Sequence, residues 1–110
     1  MDRTLPDPLV EIIARRFRVL GEPMRIKLLC CLRAGEASVQ ELTGATGASQ
    51  QNVSKHLGVL LDAGVVDRRK DGNLSLYRIT DDTVFTLCES VCGSLERQLG
   101  ELHELLGVAR

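Results

Sequence analysis

Apolar residues recur along this chain at helical spacing, then at strand spacing, then at helical spacing again. Leu9, Ile12, Ile13, Phe17 and Leu20 fall on one helical face and predict a first amphipathic helix over 8–20. Asp7-Pro8 reads as its N-cap followed by proline at the first helical position, with Gly21 as the stop. Pro23 opens a second helix, Met24 to about Ala34, ahead of Gly35. Ser38-Val39-Gln40-Glu41 has the form of a capping box, in which the serine and glutamate side chains satisfy each other's backbone N–H groups. It predicts a short third helix from Val39 to about Thr46, ended by Gly47. Ser49 caps a fourth, Gln50 to about Ala63, with Val53, Leu57, Leu60 and Leu61 as its buried stripe and Gly64 as its end.

The period then shortens. Residues 65–70 and Leu74–Ile79 flank Asp71-Gly72-Asn73, and Asp-Gly between two such runs is a hairpin signal. Asp81 or Asp82 caps a last helix over 82–107, whose stripe is Val84, Cys88, Val91, Leu95, Leu99, Leu102 and Leu106. The predicted class is mainly α with a small β-hairpin wing, in the order α-α-α-α-β-β-α. Gly47-Ala48-Ser49 between the third and fourth helices matches a helix-turn-helix connection, so 39–63 reads as helix-turn-helix and 65–79 as wing. The whole of 1–110 reads as one winged helix-turn-helix domain. The first and last helices carry more apolar surface than so short a chain can cover, which predicts a protein partner on both.

Composition refines this picture in three ways. Only Phe17, Tyr77 and Phe85 are aromatic, so the core is expected from Leu, Val and Ile. The longest apolar run, Leu28 to Leu32, is far too short to span a membrane, and Met1-Asp2-Arg3-Thr4 leads into no signal-peptide core. A cytoplasmic address follows as the expectation, and there the four cysteines read as free thiols, ligands or redox centres. Net charge is −1, but its distribution is uneven. Residues 49–79 carry five Lys and Arg against three Asp and Glu, whereas 80–110 carry two against six. The positive excess coincides with the fourth helix and the wing.

That fourth helix begins Ser49-Gln50-Gln51-Asn52, continues through Ser54, Lys55 and His56, and keeps apolar residues for its inner stripe. Amide side chains read adenine edges, lysine reaches guanine or phosphate, and a helix N-terminus offers free N–H groups to phosphate. Arg68-Arg69-Lys70 at the wing suits the adjacent backbone or minor groove. Ser49, Gln50, Gln51, Asn52, Ser54, Lys55, His56, Arg68, Arg69 and Lys70 are therefore the expected contacts to double-stranded operator DNA, with no cofactor required. The rival reading is a winged-helix module that binds protein only; it has little use for both the amide-rich helix face and the basic wing. No Cys-x-x-Cys, phosphate loop or nucleophile elbow is present, so no enzyme is expected.

Three stretches carry a family resemblance. Leu20-Gly21-Glu22-Pro23-Met24-Arg25-Ile26-Lys27-Leu28-Leu29 resembles the entry to the second helix of the ArsR/SmtB transcriptional repressors. Residues 49–57, followed by Leu60-Leu61-Asp62-Ala63-Gly64-Val65-Val66, resemble their recognition helix and next strand, and 68–79 is similar to their wing. The resemblance spans about 9–106 and implies a homodimer, joined through the first and last helices, that leaves its operator when an inducer binds.

Four cysteines are the candidate sensors: Cys30 and Cys31 on the second helix, Cys88 and Cys92 one turn apart on the last. The family's arsenic-type Cys-x-Cys is replaced by Ser38-Val39-Gln40, and its zinc site lacks ligands because the last helix holds only His103. An all-thiol set drawn from Cys30, Cys88 and Cys92 would suit a soft metal ion or arsenite. In another branch of the family, a cysteine at the position resembling Cys30, before a Leu-x-x-Gly-Glu stretch like Leu32–Glu36, pairs with one on the last helix to sense persulfides or oxidants. Cys88 and Cys92 fall at least one turn earlier than that branch's partner. Plain core packing is the third reading.

Overall fold

A computed structural model describes residues 4–107, so 1–3 and 108–110 of the expected domain lie outside the described residues. The order is α1 (Asp7–Leu20), α2 (Pro23–Leu32), β1 (Ala37–Ser38), α3 (Val39–Thr46), α4 (Gln50–Asp62), β2 (Val66–Asp71), β3 (Leu74–Ile79) and α5 (Asp82–Leu106). This is the winged helix-turn-helix arrangement that the sequence predicts, with one addition. Ala37 and Ser38 pair antiparallel with Tyr77 and Leu76, making a three-stranded sheet in the order β1-β3-β2.

Local chemistry accounts for the element ends. Ser38 Oγ accepts from Glu41 N at 3.1 Å while Glu41 Oε1 accepts from Ser38 N at 3.0 Å, so the capping box of α3 is complete. Ser49 Oγ accepts from Asn52 N to start α4, and Asp81 Oδ1 accepts from Thr83 N and Val84 N to start α5. Three expectations shift. Pro6 takes the cap position of α1 without a side-chain bond, placing Asp7 in the first turn beside the positive helix end and Pro8 second. The second helix starts at Pro23, is capped by Glu22 and ends at Leu32, two residues short of the predicted Ala34. In the hairpin Asp71 pairs with Leu74, so the two-residue turn is Gly72-Asn73, with Gly72 at φ +63°. No non-glycine residue has positive φ among those described, so the turn has the II′ form, which wants glycine first.

Leu28, Leu29 and Leu32 of α2, Leu42 of α3, Val53, Leu57 and Leu60 of α4, Val65, Val66 and Tyr77 of the wing, and Val84 of α5 form the core. Each fully enclosed Leu or Val contributes about 1.5–3 kcal/mol relative to exposure. That core holds α4 against α2 and α3 and seats the sheet beside it. The outer helices differ. No residue of α1 is buried, and Val84 is the one buried residue of α5 among those described. Ile12 and Phe17 are each 58% exposed, and Val91, Leu95, Leu99, Leu102 and Leu106 are 48–65% exposed. The radius of gyration is 16.9 Å, with extents of 50 × 49 × 20 Å. A compact domain of this length would measure about 13 Å. Among the described residues no helix is long and apolar enough to cross a membrane.

Candidate nucleic-acid interface and thiol pair

The turn before α4 is built by a left-handed Gly47 at φ +73°, whose N–H donates to Thr43 O at 2.9 Å. Such a φ suits only glycine without strain. Thr46 Oγ1 donates to Leu42 O and accepts from Ala48 N, which fixes the entry of the next helix. With Val53, Leu57 and Leu60 turned into the core, Gln51, Ser54 and Lys55 fall three and four apart on the opposite face, all exposed. Ser49 and Gln50 are exposed at the helix start and Asn52 is half-buried.

His56 does not join that face. It is 7% exposed and sits in the buried stripe with Val53, Leu57 and Leu60. Its Nδ1 lies 3.2 Å from an Arg25 guanidinium nitrogen and 3.6 Å from Glu22 Oε2. Arginine can only donate, so a neutral ring accepts from Arg25 at Nδ1, whereas a protonated ring turns the same nitrogen's charge toward Glu22. Arg25 Nε also donates to Val19 O at 2.6 Å, and Glu22 caps Arg25 N at 3.0 Å. The Arg25 N–H holds the Glu22 carboxyl below its usual range, and nearby His56 adds to this. His56 therefore ties the recognition helix to the start of α2. Its place was readable from the sequence, since 53, 56, 57 and 60 make one helical stripe.

On the wing, Arg68, Arg69 and Lys70 are all exposed, but their surroundings differ. Arg69 donates from Nε and Nη2 to the two oxygens of Glu36, at 3.0 and 2.6 Å. That fork holds the Glu36 carboxyl below its usual range. Arg78 lies 4.0 Å from Asp67. Neither Arg68 nor Lys70 takes part in an ion pair among the described residues.

The cysteines separate into two kinds. Cys30 Sγ of α2 and Cys92 Sγ of α5 are 3.8 Å apart, although 62 positions separate them. Cys31 and Cys88 are partly buried and pack against the core. Cys30 is exposed as a whole residue, yet partial burial of its sulfur raises the thiol above its ordinary range and Cys92 adds to this. Arg33 beside it pulls the other way. Burial likewise raises the Cys88 thiol. An open groove of about 330 Å³, lined by Ile26, Lys27, Cys30, Cys31, Ala45 and Thr46, flanks the Cys30 side of the pair. Among the described residues no three His, Cys, Asp or Glu side chains are grouped to hold a metal ion, so the Cys30, Cys88 and Cys92 set is not assembled within one chain.

Residues 22–68, from the cap of α2 to the first half of the wing, match the model described as bacterial regulatory protein, arsR family. The biofilm growth-associated repressor of Agrobacterium fabrum is 37% identical over 79 residues, covering 72% of this chain and 68% of that one. The chain belongs to the ArsR family. Its members are transcriptional regulators and not enzymes, in keeping with the helix-turn-helix and wing. Among solved structures, the homodimeric winged helix-turn-helix DNA-binding domain Mb0332 of Mycobacterium bovis is similar, with a TM-score of 0.76 at 27% identity over 91% of this chain and 95% of that one. The AntR antimony-specific transcriptional repressor gives a TM-score of 0.80 at 30% identity, over 91% and 92% of the two chains.

Within this ArsR-family frame, the fold places six of the expected DNA contacts, Ser49, Gln50, Gln51, Asn52, Ser54 and Lys55, at the start of α4, leaves Arg68, Arg69 and Lys70 on the wing, and sends His56 inward. It also exposes two participants that sequence reasoning missed, Glu22 and Glu36. Glu22 had a signal, a carboxylate just before Pro23 at a helix start. Glu36 had none, because its partner is 33 positions away.

Proposed function

We propose that this ArsR-family regulator is a homodimeric repressor that holds double-stranded operator DNA while Cys30 and Cys92 are thiols and releases it when they are joined. The observation that carries the sensing half is the 3.8 Å Sγ–Sγ separation between α2 and α5. A disulfide needs about 2.05 Å, so closure draws the two helices together by under 2 Å. Helix α2 supports α3 and α4 through Leu28, Leu29 and Leu32, and α5 carries the uncovered stripe. Joining them shifts the recognition helix relative to the dimer axis and disfavours the DNA-bound spacing of the two half-sites. Gln50, Gln51, Asn52, Ser54 and Lys55 are the base-edge readers, and Ser49 with Arg68 and Lys70 serve the backbone. The dimer rests on the stripes of α1 and α5, on the expanded single chain, and on the homodimeric Mycobacterium bovis neighbour.

The chemistry balances with a persulfide, RSSH, as oxidant. The Cys30 thiolate attacks its outer sulfur and expels RS⁻, leaving Cys30–S–SH. The Cys92 thiolate then attacks the Cys30 sulfur, expels HS⁻ and closes the disulfide. Overall the two thiols lose two electrons and two protons, and RSSH becomes RSH and H₂S. Arg33 favours the attacking thiolate against the burial that opposes it. A reducing cytoplasm returns the pair to thiols between signals.

A second reading is favoured by the likeness to AntR, which is antimony-specific. Two thiols are the right donor type for a soft ion or arsenite, but the described residues of one chain supply only those two. One experiment separates the readings. Reduced protein bound to the DNA flanking its own gene is challenged separately with polysulfide, peroxide, cadmium, arsenite and antimonite, and the parent is compared with Cys30→Ser and Cys92→Ser. The proposal expects release by polysulfide or peroxide with a loss of two hydrogen masses, abolished in either variant. Release by an ion with added mass favours the second reading, and no response in the parent ends both.

A further inference from the structure

We infer that Arg69 is a positioning residue that latches the wing to the turn after α2 through Glu36, leaving Arg68 and Lys70 as the wing charges that meet DNA. The inference rests on the DNA-binding reading above and refines which wing residues serve it. Cross-strand pairing decides the faces. Val66, Arg68 and Lys70 stand opposite Ile79, Tyr77 and Ser75, whereas Asp67, Arg69 and Asp71 stand opposite Arg78, Leu76 and Leu74. Val66 and Tyr77 belong to the core shared with α4, so Arg68 and Lys70 continue the recognition-helix side of the ribbon. Arg69 lies on the other side.

On that other side every cation has a carboxylate. Glu36 occupies both prongs of the Arg69 guanidinium, and Asp67 stands 4.0 Å from Arg78. A bidentate fork fixes direction as well as distance. Strand β2 is an edge strand, hydrogen-bonded only to β3, and Glu36 immediately precedes β1 on the far side of β3. The Glu36–Arg69 pair thus bridges the sheet from edge to edge and fixes the angle of the ribbon against the body. Glu36 also follows the last turn of α2, the helix that carries Cys30. Arg69 is in effect the wing's fastening to that helix.

The test exploits a sign. Removing a carboxylate near DNA tightens binding through charge alone, so a loss of affinity in Glu36→Gln points to positioning. Binding of the full chain to a mixed-sequence duplex of about 30 base pairs is followed by fluorescence anisotropy across salt concentrations, because phosphate contacts need no particular sequence. Thermal melting of each variant checks folding. The inference predicts that Glu36→Gln and Arg69→Gln each weaken binding by about threefold, the scale of an exposed but well-formed pair. It predicts that the double variant binds no worse than either single one, because both remove one latch. Exchanging the pair, Glu36→Arg with Arg69→Glu, restores affinity relative to Arg69→Glu alone. Arg68→Ala weakens binding and flattens the salt slope by about one unit. Tighter binding by Glu36→Gln, additive losses in the double variant, or no rescue by the exchange overturns the assignment while leaving DNA binding intact. A parent protein that binds no duplex at all overturns the DNA-binding reading, and this assignment with it.

Discussion

Val53, Leu57 and Leu60 of α4 are wholly enclosed, whereas Val91, Leu95 and Leu99 of α5 stand about half exposed, although the two helices carry apolar stripes of the same period. The difference is one of neighbours. Helix α4 is boxed in by α2, α3 and the sheet, so its stripe closes a core within the chain. Helix α5 touches the body near its start, through Val84, Cys88 and the Arg16–Asp81 pair, and then extends beyond anything that could cover it. Identical periodicity thus has two outcomes: in α4 it builds the platform for a polar outer face, and in α5 it stays uncovered within one chain, the surface that the proposed dimer would use. Function follows the same division. The face proposed to read DNA is presented by the enclosed helix, and the thiol pair sits where the enclosed body and the extended helix meet.

Breaking the α5 half has the largest expected effect. Leu95→Glu places an unpaired carboxylate in the interface from each protomer and weakens the dimer by about 3–5 kcal/mol per buried charge, beyond a hundredfold in dissociation constant. Because the core lies elsewhere, the variant still shows helical circular dichroism as a monomer by sedimentation; an undisturbed dimer would remove α5 from the interface. Breaking the α4 half acts on the fold instead. Leu57→Ala costs about 2–5 kcal/mol of stability through lost burial and a cavity, read by urea denaturation at fixed protein concentration.

The two faces of α4 sharpen the comparison further. Gln50→Ala should leave melting unchanged and lower discrimination between operator and random duplex by about 1–3 kcal/mol. His56→Ala should do the reverse: it strips Arg25 of a buried acceptor, costs about 1–3 kcal/mol of stability, and spares discrimination. Competition binding alongside thermal melting checks both. The smallest effect is kinetic. Because burial and Cys92 raise the Cys30 thiol, its thiolate fraction is still climbing above the ordinary thiol range. Disulfide closure by polysulfide should therefore quicken about tenfold per pH unit through the neutral range and beyond. Arg33→Gln should slow it at every such pH, measured by mass spectrometry of quenched samples; a rate independent of pH would exclude Cys30 as the attacking group.

Much of this division was written in local signals. Ser38 with Glu41, and Ser49 ahead of Asn52, set helix starts through bonds spanning three residues, and such bonds are legible without a fold. The hairpin was legible too, although its turn sits one residue later because Gly72, not Asp71, takes the left-handed first position. Strand β1 was not, since two residues carry no periodicity and become a strand only by pairing with Tyr77 and Leu76. At the site, the spacing of Cys88 and Cys92 showed one shared face but not which thiol meets Cys30; the packing of α5 against α2 selects Cys92. The bond from Arg69 to Glu36 is equally non-local, and chain order offers no sign of it.

The central claim is that two copies, joined through the stripe α5 cannot cover alone, present two recognition helices to one DNA site. Sedimentation velocity of the reduced protein with a labelled duplex from the region flanking its own gene tests this most directly. Two protomers per duplex are expected at saturation, with Leu95→Glu folded, monomeric and bound at least about tenfold more weakly because paired half-sites are lost. One protomer per duplex, or undiminished affinity in a monomeric Leu95→Glu, would contradict it.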